Sequence, residues 1–88
     1  MSVTADDIAK ALTAEFAPID LAIEDDSHLH AGHDGAREGR HFSVRIVSRR
    51  FEGLSRVARH RLVYHALHPL MPRGIHALAI DARVPDES

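Results

Sequence analysis

The chain has no cysteine. That excludes disulfide frameworks, Cys-based zinc fingers, thiol nucleophiles and iron–sulfur ligation by this chain's own thiolates. Aromatic residues are scarce, at 5%, with one Tyr, three Phe and no Trp. No surplus of positive charge exists either: the net charge is −2 with neutral His, which argues against a general polyanion binder. No apolar run approaches the roughly 18 residues of a membrane span. The opening MSVTADDIAK carries two acids, and no Arg precedes Arg37, so neither a transit peptide nor a secretory signal is expected. The expectation is a soluble, cytoplasmic chain without membrane association. Internal repeats and low-complexity tracts are missing, as are a Gly-rich phosphate loop, a nucleophile elbow, an HExxH pair and an organised acid–base pair. At 88 residues the expected organisation is one domain over 1–88. Folding buries about 64% of the extended chain's surface at this size, which suffices for one modest core and not for a deep, self-contained cofactor cleft. These absences together argue against an enzyme.

Two residue types are over-supplied: eight His, and ten Arg against the single Lys10. The Arg preference fits codon bias and needs no function; the His need placing on elements. Thr4 and Asp7 fit a capping box opening a helix, and Ile8, Ala11, Leu12 and Phe16 form its apolar stripe. Pro18 ends it. Residues 19–24 alternate as a half-buried strand. Residues 25–40 have no apolar period, are punctuated by Gly32, Gly35 and Gly39, and read as a long loop. A second strand follows over 41–47 and a turn over 48–53. Residues 54–71 form the main helix, with Ala58, Leu62, Val63, Ala66, Leu67 and Leu70 on its apolar side. Pro72 and Gly74 end it, and 75–84 is a third strand. The order α-β-β-α-β predicts an α+β fold, two helices covering one face of a small sheet.

His28, His30 and His33 crowd the long loop. Neutral imidazole is the commonest metal ligand, and a loop can gather close-spaced ligands. Three solvated loop histidines account for the same residues. His76 opens the last strand, where fixed backbone suits a ligand and equally suits a His bonded to a carbonyl. Arg49, Arg50, Arg56, Arg59 and Arg61 crowd the turn and the start of the main helix, and fit either a phosphate-binding patch or a solvated face with paired acids. His41, His60, His65 and His68 are scattered and read as surface or satisfied half-buried groups.

From Phe51 onward the pattern F-x-G-L-S, then R-H-R-x-V-Y from Arg59, then I-H-A-L-x-I from Ile75 resembles the BolA family. The resemblance runs over residues 5–86, with departures in Val84-Pro85, where the family usually has Thr-Pro, and in an acidic tail without the common aromatic. It implies a class II KH-like α-β-β-α-β fold and a partner, a monothiol CGFS-type glutaredoxin. The two proteins are understood to share a glutathione-dependent [2Fe–2S] cluster, in cluster trafficking or iron regulation, with no cofactor expected in the isolated chain. The BolA-like protein supplies an invariant C-terminal His, matched by His76, and a loop Cys or His. The loop ligand is matched best by His30, with His33 as the alternative and His28 a weaker one. Two imidazoles in place of two thiolates give a Rieske-like environment and a pH-sensitive assembly. Some family members are described as transcriptional regulators. DNA binding through Arg49, Arg50, Arg56, Arg59 and Arg61 is therefore the alternative, opposed by the charge of −2 and the lack of a G-x-x-G clamp. A partnerless metal site at His28, His30 and His33 is a third reading.

Overall fold

A computed structural model describes residues 3–26 and 40–87. The first helix, α1 (Ala5–Phe16), opens on the expected capping box. The Thr4 hydroxyl accepts from the Asp7 N–H at 3.1 Å, and the Asp7 carboxylate accepts from the Thr4 N–H at 3.0 Å. The helix closes on Ala17, whose φ of 43° is left-handed, a conformation costly for a residue with a Cβ. Pro18 explains the choice, because its ring disfavours right-handed helical geometry at the residue before it.

Three strands follow the order β1 (Asp20–Asp25), β2 (Arg40–Val47) and β3 (Ile75–Arg83), with β2 in the middle of the sheet. β1 and β2 are antiparallel, from Asp20 opposite Val47 to Asp25 opposite Phe42. β2 and β3 are parallel. A parallel pair needs a long crossover, and helix α2 (Arg56–Leu67) supplies it. The sheet is therefore mixed and the fold α+β, in the predicted order.

Phe42, Val44 and Ile46 of β2 turn one face toward Ile8, Leu12 and Phe16 of α1 and Val63 and Leu67 of α2, forming the buried core. The opposite face carries exposed Ala22, Glu24, Arg45, Ala79 and Asp81. No helix among the described residues is long and apolar enough to cross a membrane.

Four details differ from the sequence reading. Ile19 precedes β1 and is 61% exposed, so only Leu21 and Ile23 carry the strand's inward alternation. The main helix is α-helical only to Leu67; His68–Arg73 winds as a 3-10 helix. Pro69 and Pro72 supply no N–H to an α-helical ladder there. Leu62 is 40% exposed, and the buried side of α2 reduces to Val63 and Leu67. The turn after β2 is a 3-10 helix, Arg49–Phe51, that drives Phe51 fully into the core, its ring centre 5.1 Å from that of Phe16. Ser48, buried at its start, donates through Oγ to the Phe16 carbonyl at 2.7 Å and accepts from the Arg50 N–H at 3.1 Å. Its own N–H donates to the Arg83 carbonyl at 2.9 Å. One serine thus joins the ends of α1, β2 and β3.

Candidate functional site

The site grows from an irregularity in β3. Arg40 pairs with Ile75 and His41 pairs with Ala77, so His76 is the extra residue of a β-bulge. Bulges are rare between parallel strands and over-represented beside functional sites, where they re-aim a side chain. Further along β3 the even-numbered residues Leu78, Ile80 and Ala82 face the core side, half-buried or buried. Strict alternation would send His76 to that same side. The bulge inverts the phase: Ile75 is buried, and His76 and Ala77 are both exposed. The re-aimed imidazole lies beside that of His41, ring centres 5.1 Å apart and planes tilted by 42°.

The long loop of the sequence leaves and re-enters at this same end of the sheet. The Asp26 N–H donates to the His41 carbonyl at 2.7 Å, and the Asp26 carboxylate accepts from the Ser43 hydroxyl. These bonds continue the β1–β2 pairing one residue past Asp25 and fix where the chain departs. Its return is fixed at Arg40, opposite Ile75. His28, His30 and His33 belong to the stretch between these two anchors and lie outside the described residues. Residues 26 and 40, the ends of that stretch, therefore flank the strand positions next to His76. His60 and His65 lie on α2 and His68 just beyond it. Among the described residues no group of three or more His, Asp or Glu is close enough to hold a metal ion.

The arginine cluster is divided by its surroundings. Arg59, half-buried with 14% of its side chain exposed, donates through Nε to the Leu54 carbonyl at 3.0 Å. Its Nη1 donates to the Ala82 carbonyl at 3.2 Å and to Glu87 at 2.7 Å. This guanidinium fastens the start of α2 to the end of β3. Arg50 donates to the Glu15 carbonyl at 2.7 Å. Arg49, Arg56 and Arg61 are exposed.

Around Arg59 a cavity of about 580 Å³ is lined by Arg56, His60, Asp81, Arg83 and Glu87. Its charges are largely paired within the chain. The hydrogen bond from Arg59, helped by the Val84 N–H, holds the Glu87 carboxyl below the usual range. The hydrogen bond from Arg83 does the same for Asp81, and Asp81 in turn raises Arg83. The sequence carries no sign of the Arg59–Glu87 pair, whose members lie 28 residues apart. Nor did it single out His41, which only the strand pairing sets beside His76.

Comparison with known proteins agrees with this architecture. The family model described as BolA-like protein matches residues 12–87. The chloroplastic protein BOLA1 of Arabidopsis thaliana is 48% identical over 81 residues, covering 88% of this chain and 51% of that protein. SufE-like protein 1 of the same plant is 44% identical over 86 residues, covering 91% of this chain and 23% of that protein. The chain thus spans about half the length of the first of these relatives and far less of the second. A protein of Haemophilus influenzae named DNA-binding transcriptional regulator BolA is 39% identical over 80 residues, covering 91% of this chain and 76% of the relative. Among solved structures, BolA1 from Arabidopsis thaliana superposes with a TM-score of 0.85 at 44% identity, covering 100% of this chain and 98% of that one. A family model spanning most of the sequence, together with a fold reproduced at that similarity, shows that the chain belongs to the BolA-like protein family.

Proposed function

We propose that the protein is a non-enzymatic partner of a monothiol, CGFS-type glutaredoxin, with which it shares a glutathione-dependent [2Fe–2S] cluster in cluster trafficking or iron regulation. The observation that carries this reading is the convergence at one end of the sheet. The bulge exposes His76 there, and the segment bearing His28, His30 and His33 is anchored at residues 26 and 40 beside it. The donor set fits the cargo. With no cysteine in the chain, imidazole is the nitrogen donor it can offer to iron, and imidazole replaces thiolate on one iron of Rieske centres.

His76 supplies one nitrogen from rigid strand backbone. A second imidazole completes this chain's share, His30 being the best match in the loop, with His33 and His28 next. The glutaredoxin cysteine and glutathione hold the remaining positions. One ligand on a strand and one beyond its anchors suit a cluster that is passed on.

The test mixes the protein with a monothiol glutaredoxin, glutathione, ferrous iron and sulfide, and records visible absorption and circular dichroism. A spectrum distinct from that of the glutaredoxin's own cluster is expected, and His76→Ala should abolish the difference. An unchanged glutaredoxin spectrum with the wild-type protein would overturn the reading.

A second reading, a DNA-binding regulator, is favoured by the name of the Haemophilus relative and by exposed Arg49, Arg56 and Arg61. Its signature is DNA affinity falling steeply with salt, with a log–log slope of about 0.9 per phosphate neutralised. A titration that stays flat at moderate salt sinks it.

A further inference from the structure

We propose that the cavity between the start of α2 and the end of β3 binds a small phosphate monoester. Arg56 and His60 are its free donors, and the Glu87 carboxylate is the chain's own stand-in for the phosphate. This site is independent of the cluster reading and lies at the opposite end of β3 from His76.

The cavity measures about 580 Å³. That is within the range of sites that take small organic ligands and more than a bare oxyanion fills. Ile80 and Ala82 give it an apolar wall. Its charged lining is unequal: the guanidinium groups of Arg56, Arg59 and Arg83 face only the carboxylates of Asp81 and Glu87. The local excess is positive in a chain whose net charge is −2. Arg83 holds Asp81 at 2.9 Å and Arg59 holds Glu87 at 2.7 Å. Arg56 acts on Asp81 through space alone. Among the described residues, the side chains of Arg56 and His60 make no hydrogen bond or ion pair. They stand one helical turn apart on α2 and so share a face, the one that lines the cavity.

The cavity already grips an oxyanion. Both oxygens of the Glu87 carboxylate accept from Arg59, at 2.7 Å from Nη1 and 3.4 Å from Nη2. One of them also accepts from the Val84 N–H at 3.1 Å. This two-pronged grip is how a guanidinium takes either a carboxylate or a phosphate. Glu87 is exposed on the short 3-10 turn Pro85–Glu87, so its carboxylate can be exchanged without opening the core. A phosphate monoester brings nearly twice the charge of a carboxylate and three terminal oxygens. Those oxygens suit Arg59, Arg56 and the N–H of the His60 imidazole, and the organic body lies along Ile80 and Ala82. A nucleic-acid strand suits the lining less well. Its phosphates are spread along a line, whereas these donors converge on one cavity that exposed Arg49 and Arg61 do not line.

The experiment titrates isotope-labelled protein at constant ionic strength with ribose phosphate, adenosine monophosphate and inorganic phosphate, with adenosine as the uncharged control. The side-chain NMR resonances of Arg56, Arg59 and His60 should shift saturably with both esters, about tenfold more tightly than with inorganic phosphate, and not with adenosine. The tighter ester shows whether the body recognised is a base or a sugar. Arg56→Gln and His60→Ala should each weaken the binding several-fold. Glu87→Gln should tighten it by about tenfold, because the competing carboxylate is gone; a pair that only held the fold would give no such gain. Thermal unfolding confirms that each variant is folded. Esters that move none of the three resonances, or that bind no better than inorganic phosphate, overturn the proposal. So does an affinity that Glu87→Gln leaves unchanged or lowers. Duplex DNA that shifts Arg49 and Arg61 together with Arg56, more tightly than either ester, assigns the arginines to nucleic acid and overturns it as well.

Discussion

The two ends of β3 use polar side chains in opposite ways. At its start, the bulge spends regular pairing to expose His76 and set it beside His41. At its end, nearly every polar group is engaged inside the chain. Arg59 reaches the Ala82 carbonyl and Glu87, Arg83 holds Asp81, and Ser48 joins the Arg83 carbonyl to the end of α1. One end turns an imidazole outward, and the other pairs its charges within the chain. The contrast teaches which charges hold the fold. The dense arginines that catch the eye in the sequence gather at the finished end, and the two imidazoles at the open end are separated by 34 residues of sequence.

Substitutions at the finished end should therefore cost stability and spare cluster binding, and those at the open end the reverse. The largest loss of stability is expected from Phe51→Ala, which empties a fully buried position against Phe16. A change of this type costs about 3–5 kcal/mol, a large share of the marginal stability of a small domain, and should appear as a steep fall in the urea midpoint. Arg59→Ala should come next, at about 1–3 kcal/mol, because it strands the Leu54 and Ala82 carbonyls and the Glu87 carboxylate. At about 4–8 °C per kcal/mol for a domain of this size, the loss is visible in a thermal scan. If Arg59→Ala also abolished the mixed cluster spectrum at a temperature where the protein stays folded, the separation of the two ends would fail.

Acid should act on the same end more gently. The carboxyls of Asp81 and Glu87, and of Asp7 in the capping box, are all held below their ordinary values by hydrogen bonds. Below those ordinary values the unfolded chain takes up protons first, so stability falls as pH falls. The contribution is complete above the unfolded carboxylate range near pH 4 and is lost as pH drops through the lowered folded values. Urea midpoints measured between pH 6 and pH 3 should decline, and high salt should shrink the decline by screening these exposed pairs. The smallest stability effect is expected from His76→Ala, within about 0.5 kcal/mol of wild type, although it removes the cluster signature altogether. A midpoint shift as large as that of Arg59→Ala would show that the bulge residue serves the fold.

What could be read in the sequence, and what could not, follows the range of the interactions. The Thr4–Asp7 capping box, the stop at Pro18 and the core stripe Ile8, Leu12, Phe16 are local, and each stands where its residues put it. The order of elements follows from the same local signals. His76 is singled out by its place at the head of a strand and by the family pattern around it. The bulge is not legible, because Ile75-His76-Ala77-Leu78 is as good a continuous strand as an interrupted one; only the register against Arg40 and His41 breaks it. His41 reads as one more scattered histidine for the same reason. Phe51 reads as part of a turn, since the core it enters is made by α1, 35 residues earlier. Arg59 reads as one member of a basic patch until Glu87 and the Ala82 carbonyl are brought to it.

The sheet has two outer strands, and they are guarded by different means. On β3 the carbonyls of Leu78 and Ala82 accept from Tyr64 and Arg59 of α2, so neighbouring helix side chains occupy acceptors that an added strand would use. On β1 the guard is charge: Asp20 and Glu24 are exposed along a strand that also carries Asp25. A guard made of hydrogen bonds persists as long as α2 stays docked, whereas a guard made of exposed charge weakens as salt screens it. At high salt the protein should consequently become more prone to self-association along one rim only. Filaments or oligomers grown under those conditions would join through β1 and leave the His41–His76 end of each copy accessible.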